Sequence, residues 1–367
     1  MVVRLLLPLA LLLMAARAGA AAQPASPRAP QAAAVEQRLV ETARRNPDSF
    51  DAQYQLASFY VQQRKLQAAV PYLQRARAIK PDDYASGHDL ALALVELNRL
   101  DEARTLVLQM IAARDNAELH NLLANVSERG GDRLAAAEEY QRAAHMDPTE
   151  EHLFDWGDNL VQLHAYPEAI QVFTAGIERH PDSARLHVGL GIAQYSRGAH
   201  EDAVRSFCRA ADLAPSDPRP YQFLGEMYGV VPSLGGEITE RLARFAKAHP
   251  QNAPAQYHYA MSLWKGLAEP PADLKQVEAL LRRAVALDRK FTKGFLELGI
   301  LLSDQQRYQE AITQLQTAAR LEPDLAQAHY RLAQAYQRTG QKALADKELE
   351  IFEKLSARGS ASDKRNR

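Results

Sequence analysis

Residues 184–217, ARLHVGLGIAQYSRGAHEDAVRSFCRAADLAPSD, carry two apolar stripes with a break between them. Leu186, Leu190 and Ala193 recur at helical spacing, Arg197 and Gly198 interrupt the pattern, and Ala203, Phe207, Ala210 and Leu213 form a second stripe that stops at Pro215. Neither short helix can bury its stripe alone, so the pair must stack on further pairs. Prolines stand at 47, 81, 148, 181, 215, 250 and 323, at steps of 34, 67, 33, 34, 35 and 73 residues. Taken as one or two units each, with a small insertion in the last, these steps give a period of about 34 residues, which is that of a solenoid.

The same stretch contains Leu190-Gly191, Ala203-x3-Phe207 and Pro215, while Tyr221-x2-Leu224-Gly225-x2-Tyr228 and Phe295-x2-Leu298-Gly299 recur further on. These residues resemble the tetratricopeptide repeat, whose signature runs W-x2-L-G-x2-Y, A-x3-F, P. His187 and Gln194 depart from it where the family favours aromatics. The resemblance spans residues 50–355 and implies an all-α fold, a right-handed α-solenoid of about nine helix-turn-helix repeats. The units read 50–83, 84–116, 117–149, 150–183, 184–217, 218–251, 252–291, 292–325 and 326–355, after a half-repeat cap at 35–49.

Each unit supplies a small residue after the first-helix anchor: Ala57, Ala91, Ala124, Gly157, Gly191, Gly225, Ala260, Gly299 and Ala333. A small residue there lets two helices approach closely. The second helix contributes Ala69, Ala103, Ala136, Ala169, Ala203, Ala311 and Ala345, with Ile238 and Val277 in units six and seven, whose helix pairs are therefore expected to splay. Two insertions break the period, GVVPSLGG at 229–236 and GLAEPPAD at 266–273. Both fall between first and second helices and are expected to project on one edge, so residues 229–273 read as an irregular segment between arrays at 50–228 and 274–355.

Aromatics are 7% of the chain, as expected where close helix crossings demand alanine instead. The net charge of −1 becomes about −3 when Arg4 and Arg17 leave with the first 22 residues, which argues against a nucleic-acid partner. Residues 1–22 place Arg4 before an apolar run at 5–16 and end in small residues, with Ala20 and Ala22 closing two A-x-A cleavage sites. This pattern predicts a cleavable signal peptide and an exported chain, periplasmic or secreted, with no transmembrane segment after cleavage. The apolar run is shorter than the ~20 residues of a bilayer span. Residues 23–34 read as a disordered Pro/Ala linker and 356–367 as a disordered charged tail.

No zincin pair, nucleophile elbow, phosphate-binding loop or calcium loop occurs, so neither an enzyme nor a cofactor or metal site is expected. The single cysteine, Cys208, follows a packing residue and is expected to face partly outward. Asn125-Val126-Ser127 matches a glycosylation sequon, but in mid-helix. Function must then lie in surface. The resemblance implies that outward positions of each first helix line a groove for a partner's peptide or helix. Mapped onto this chain, the groove holds Tyr54, Ser58, His88, Leu92, Asn121, Asn125, Phe154, Asp158, Val161, Val188, Ile192 and Tyr195, then Tyr257, Met261, Trp264, Leu296, Ile300, Tyr330 and Gln334. Phe154 to Tyr195 and the trio Tyr257, Met261 and Trp264 stand out as apolar and aromatic patches. Lysines are not at the places where family members clamp a carboxyl terminus. The expected role is a non-enzymatic protein-interaction scaffold of the cell envelope; the alternative is a polysaccharide-associated export or assembly factor that binds glycan through groove aromatics.

The register carries a test. Ala203→Leu should overpack a helix crossing, cost ~1–3 kcal/mol and lower the thermal midpoint, whereas Arg205→Ala should not. Equal midpoints would contradict the register.

Overall fold

The computed structural model describes residues 29–266 and 273–365, so the expected signal peptide and most of the second insertion lie outside the described residues. The chain divides into two compact units, Met1–Gly198 and Ala199–Arg367. The first contains α1 (Ala29–Arg45), α2 (Phe50–Gln62), α3 (Leu66–Ile79), α4 (Tyr84–Glu96), α5 (Leu100–Ala113), α6 (Ala117–Arg129), α7 (Arg133–Met146), α8 (Glu150–Gln162), α9 (Tyr166–Arg179) and α10 (Ala184–Arg197). The second contains α11 (His200–Leu213), α12 (Pro218–Met227), α13 (Gly235–Ala248), α14 (Ala253–Lys265), α15 (Leu274–Leu287), α16 (Thr292–Asp304), α17 (Tyr308–Leu321), α18 (Ala326–Arg338) and α19 (Lys342–Arg365), with a 3-10 turn at Pro232–Leu234. Among the described residues there is no strand. The architecture is all-α, built of repeated helix pairs.

Local chemistry fixes the helix ends. Ser49, Asp83, Asn116, Thr149, Ser183, Asp217 and Asn252 each precede a first helix and accept a hydrogen bond from a backbone N–H in its first turn. Each such cap contributes about 1 kcal/mol. First helices close through a left-handed residue: Arg64, Asn98, Gly131, His164, Gln306 and Gly340 have φ from 57° to 88°. The N–H that follows reaches back five residues, as from Lys65 to Tyr60 and from Arg307 to Leu302, which satisfies a carbonyl the helix leaves free. Second helices end two residues before Pro81, Pro148, Pro181, Pro215, Pro250 and Pro323, with the C-cap residue in between.

All nine small residues after the first-helix anchor are buried. A tight crossing lies in the first unit, where the Phe173 ring of α9 fills space between α8 and α10. A methyl group on Gly157 would lie 2.6 Å from that ring and one on Gly189 would lie 2.5 Å from it. Phe173 is fully buried, which stabilises by about 1.5–3 kcal/mol. In three repeats a buried polar residue three positions before the anchor ties the first helix to the segment ahead of it. Gln53 donates to the Ala43 carbonyl at 2.9 Å, Gln256 to the Ala246 carbonyl at 2.9 Å, and Tyr221 to the Ala211 carbonyl at 3.2 Å.

Several expectations are corrected. Residues 29–34, expected in a linker, form the first turns of α1, because nothing between Ala29 and Arg45 stops a helix once Pro30 occupies its start. The tail expected from 356 onward is helical to Arg365, since no proline follows Leu355. The 229–236 insertion is folded down rather than projecting: Val231 and Leu234 are buried, and a methyl group on Gly235 would meet the Gly266 carbonyl oxygen at 2.6 Å. Ile238 and Val277 are fully buried as well, so the larger crossing residues are accommodated. Cys208 is buried, not outward, and burial pushes its thiol up to about 11. Ser127 of the sequon is likewise buried in α6 and donates to the Leu123 carbonyl.

The Phe173 crossing predicts that Gly189→Ala lowers stability by roughly 1–3 kcal/mol in chemical unfolding, because the ring has no space to retreat. An unchanged unfolding midpoint would contradict this packing.

Candidate functional site

The groove mapped from the sequence consists of two positions per first helix, one two residues before the anchor and one two residues after it. In the first unit the later position is open in every repeat: Ser58, Asn125, Asp158 and Ile192 are half-buried and Leu92 is exposed. The earlier position is open at Tyr54, His88 and Asn121 and closed at Phe154 and Val188. Val161 and Tyr195, one turn further on, are half-buried.

The closed positions correct the expected patches. Phe154 lies 5.9 Å from Phe173 and is covered by the Arg185 guanidinium 3.8 Å from its ring centroid. Val188 is 2% exposed, so it is core. In the second unit Met261 is fully buried, and Tyr257, Leu296 and Ile300 are buried with it. Tyr257 packs edge-on against Phe291 at 5.0 Å instead of standing open in the groove. Trp264 and Gln334 are half-buried, and Tyr330 is exposed with its ring 5.1 Å from Phe352. Of the expected trio, two members therefore belong to the core.

What the first unit brings together is a polar seam that crosses from repeat to repeat. The Tyr54 hydroxyl donates to Asp89 at 2.8 Å, His88 and Tyr84 meet Glu118, and Asn121 donates to Asp155 at 3.1 Å. The Arg185 guanidinium reaches the other Asp155 oxygen at 3.1 Å. Asn159 donates to Glu128 at 3.1 Å, Tyr140 donates to Glu128 at 3.3 Å, and Gln162 donates to Asp158 at 3.1 Å. Asp155, Glu128, Asn159, Tyr140 and Arg185 were not among the sequence candidates. They stand 27 or more residues apart in part, and only the stacking of α6, α7, α8 and α10 makes them neighbours.

The electrostatics of this seam are unbalanced. Burial pushes the Asp158 carboxyl up to about 6; the hydrogen bond from Gln162 opposes the shift, the charges of Glu128 and Asp155 add to it, and the charge of Arg185 opposes it more weakly. Burial also raises Asp155, against the hydrogen bond from Asn121 and the charge of Arg185. Tyr140 is held neutral well above its ordinary range, first by burial and then by Glu128 and Asp155. Among the described residues no group of three or more His, Cys, Asp or Glu side chains is arranged to hold a metal ion. No described helix is long and apolar enough to cross a membrane.

Comparisons with known proteins place these observations. Tetratricopeptide repeat profiles match residues 28–84, 154–218 and 60–126, and a TPR repeat profile matches 301–340, together more than half of the chain. Among curated proteins the chain is similar to the Homo sapiens Protein O-mannosyl-transferase TMTC3, at 23% identity over 287 residues, which is 71% of this chain and 30% of that protein. The chain thus spans under a third of that relative's length. Among solved structures it is similar to the C-terminal part of a TPR repeat-containing protein from Cytophaga hutchinsonii, at 17% identity and a TM-score of 0.53, over 66% of this chain and 97% of that one. It is also similar to YrrB, described as a TPR protein with an unusual peptide-binding site, at 18% identity and a TM-score of 0.40, over 50% and 96% of the two chains. The Cytophaga likeness shows the fold alone.

Arg185 provides a test of the seam. Asp155 is raised above its unfolded value, so its ionisation works against the fold as pH rises through the folded value and is silent in acid, where both states are protonated. Arg185→Gln should therefore cost on the order of 1 kcal/mol at pH 8 and less at pH 4, allowing for solvent screening. A loss that is equal at both pH values, read by thermal unfolding, would contradict the pairing.

Proposed function

The chain belongs to the tetratricopeptide repeat family, and from that premise we propose that it is a non-enzymatic scaffold that holds a segment of a partner protein along the first-helix face of its first unit. One observation carries the reading. At the position two residues after the anchor, five successive repeats leave Ser58, Leu92, Asn125, Asp158 and Ile192 open, whereas in the second unit the run is interrupted, with Met261 and Ile300 buried between the open Glu226 and Gln334. A run of open side chains at 33- or 34-residue intervals, mixed apolar and polar, suits an elongated ligand that touches each repeat once. Export to the cell envelope, periplasmic or secreted, belongs to the same proposal and is supported by residues 1–22, with Ala20 and Ala22 at the cleavage sites.

The polysaccharide alternative relied on open aromatic faces. Tyr257 is buried and Trp264 is half-buried beside Lys265, whose ammonium lies 4.8 Å from its ring centroid, so no observation favours that reading. Mannosyl transfer is named for a relative of which this chain matches 30%, and is not proposed here.

The test is affinity capture from the envelope fraction of the native host, with the chain lacking residues 1–22 as bait. Wild type should retain a partner protein that Leu92→Ser/Ile192→Ser loses by roughly tenfold, with helical content unchanged by circular dichroism. Recovery of the same proteins by both baits, or of none by either, would overturn the assignment of this face.

A further inference from the structure

The seam between α6 and α8 is rich in acceptors and poor in donors. Glu128, Asp155 and Asp158 contribute three carboxylates, and among the described residues Arg185, on Asp155, is the one cation hydrogen-bonded to them. The remaining donors, from Asn121, Tyr140, Asn159 and Gln162, are neutral, so among the described residues no cation is hydrogen-bonded to Glu128 or Asp158, and the charge of Arg185 acts on Asp158 only through space. Asn159 is fully buried; its amide nitrogen is spent on Glu128, and its carbonyl oxygen has no hydrogen-bond partner. The Asn121 carbonyl oxygen is also buried and unpartnered, although the other end of that amide holds Asp155. A fold that needed these groups only for packing would be expected to pair them or replace them, since an unsatisfied buried acceptor costs about 1–3 kcal/mol.

Resting on the scaffold reading above, we propose that this cluster is the subsite for a cationic side chain, arginine or lysine, carried by the bound segment of the partner protein. The side chain supplies what the cluster lacks: a positive charge for Glu128 and Asp158, and several N–H donors on one head group. A bare metal ion fits less well, because no three of the described acidic, histidine or cysteine side chains are arranged around a point that could hold one. Asp158 occupies the open position of its own repeat, so the cluster lies in the run of side chains assigned to the ligand. Arg185 partly occupies the site from within and reduces its net charge, which leaves the cluster stable when empty.

The test uses the intact chain and two small probes that differ by one charge, N-acetylarginine N-methylamide and its neutral isostere N-acetylcitrulline N-methylamide. Binding is followed through the side-chain amide signals of Asn121, Asn159 and Gln162 by nuclear magnetic resonance. The arginine probe should shift these signals saturably and the citrulline probe should not. Glu128→Gln and Asp158→Asn should each weaken the arginine probe by roughly tenfold, whereas Arg185→Gln, which frees Asp155, should tighten it. Asp158→Asn should not lower the thermal midpoint at pH 8, as it would if Asp158 were a structural residue. Equal response to both probes, no response to either, or a response to calcium chloride alone would overturn the proposal. Partner capture that is lost with Leu92→Ser/Ile192→Ser yet survives Glu128→Gln/Asp158→Asn would overturn it too, while leaving the scaffold reading in place.

Discussion

Phe173 occupies the volume that two missing side chains leave free. With Gly157 on one side and Gly189 on the other, its ring brings α8, α9 and α10 to a separation that any larger residue would forbid. The same device recurs at each repeat with alanine or glycine after the anchor, and at Gly225 and Gly299 the neighbours are His258 and Leu315. Everything that follows depends on this approach. If the helices stood further apart, the hydrogen bonds from Tyr54 to Asp89 and from Asn121 to Asp155 could not span successive repeats.

Close stacking turns the period of the sequence into a spatial one. Side chains 33 to 35 residues apart become neighbours, and the first-helix face of the first unit becomes a row rather than a set of isolated spots. Two repeats of the second unit use the same positions differently from the first unit. In the second, Tyr257, Met261, Leu296 and Ile300 are spent on the core, together with Phe291. In the first, the later position stays open in every repeat, and Glu128, Asp155 and Asp158 gather beside it with Arg185 the one cation hydrogen-bonded to them among the described residues. Stability and recognition are thus drawn from one register, and the side chain at each position decides which it serves.

The crossings, the proline stops and the helix pairs could be read from the chain because each is a local pattern repeated many times. The cap series from Ser49 to Asn252 was equally legible and carries the same period, but it lies just outside the apolar stripes on which the reading relied. Burial at the open positions was not legible. Val188 and Ile192 share an apolar character and a helical face, yet one is core and the other half-buried, because exposure there depends on the side chains of neighbouring repeats. The acidic seam was hidden for a related reason. Glu128, Asp155 and Arg185 look like ordinary solvated charges one at a time, and only the stack brings them together and half-buries them.

This convergence leaves Asp158 half-buried, with no cation hydrogen-bonded to it among the described residues. The most direct measurement is a carbon-13 titration of the Asp158 carboxyl in the intact chain. The structure predicts an apparent value of about 6, raised by burial and by the charges of Glu128 and Asp155. A value near the ordinary aspartate figure of roughly 3.9 would contradict it, because it would mean that the carboxyl is solvated or paired and that the seam is an ordinary polar surface.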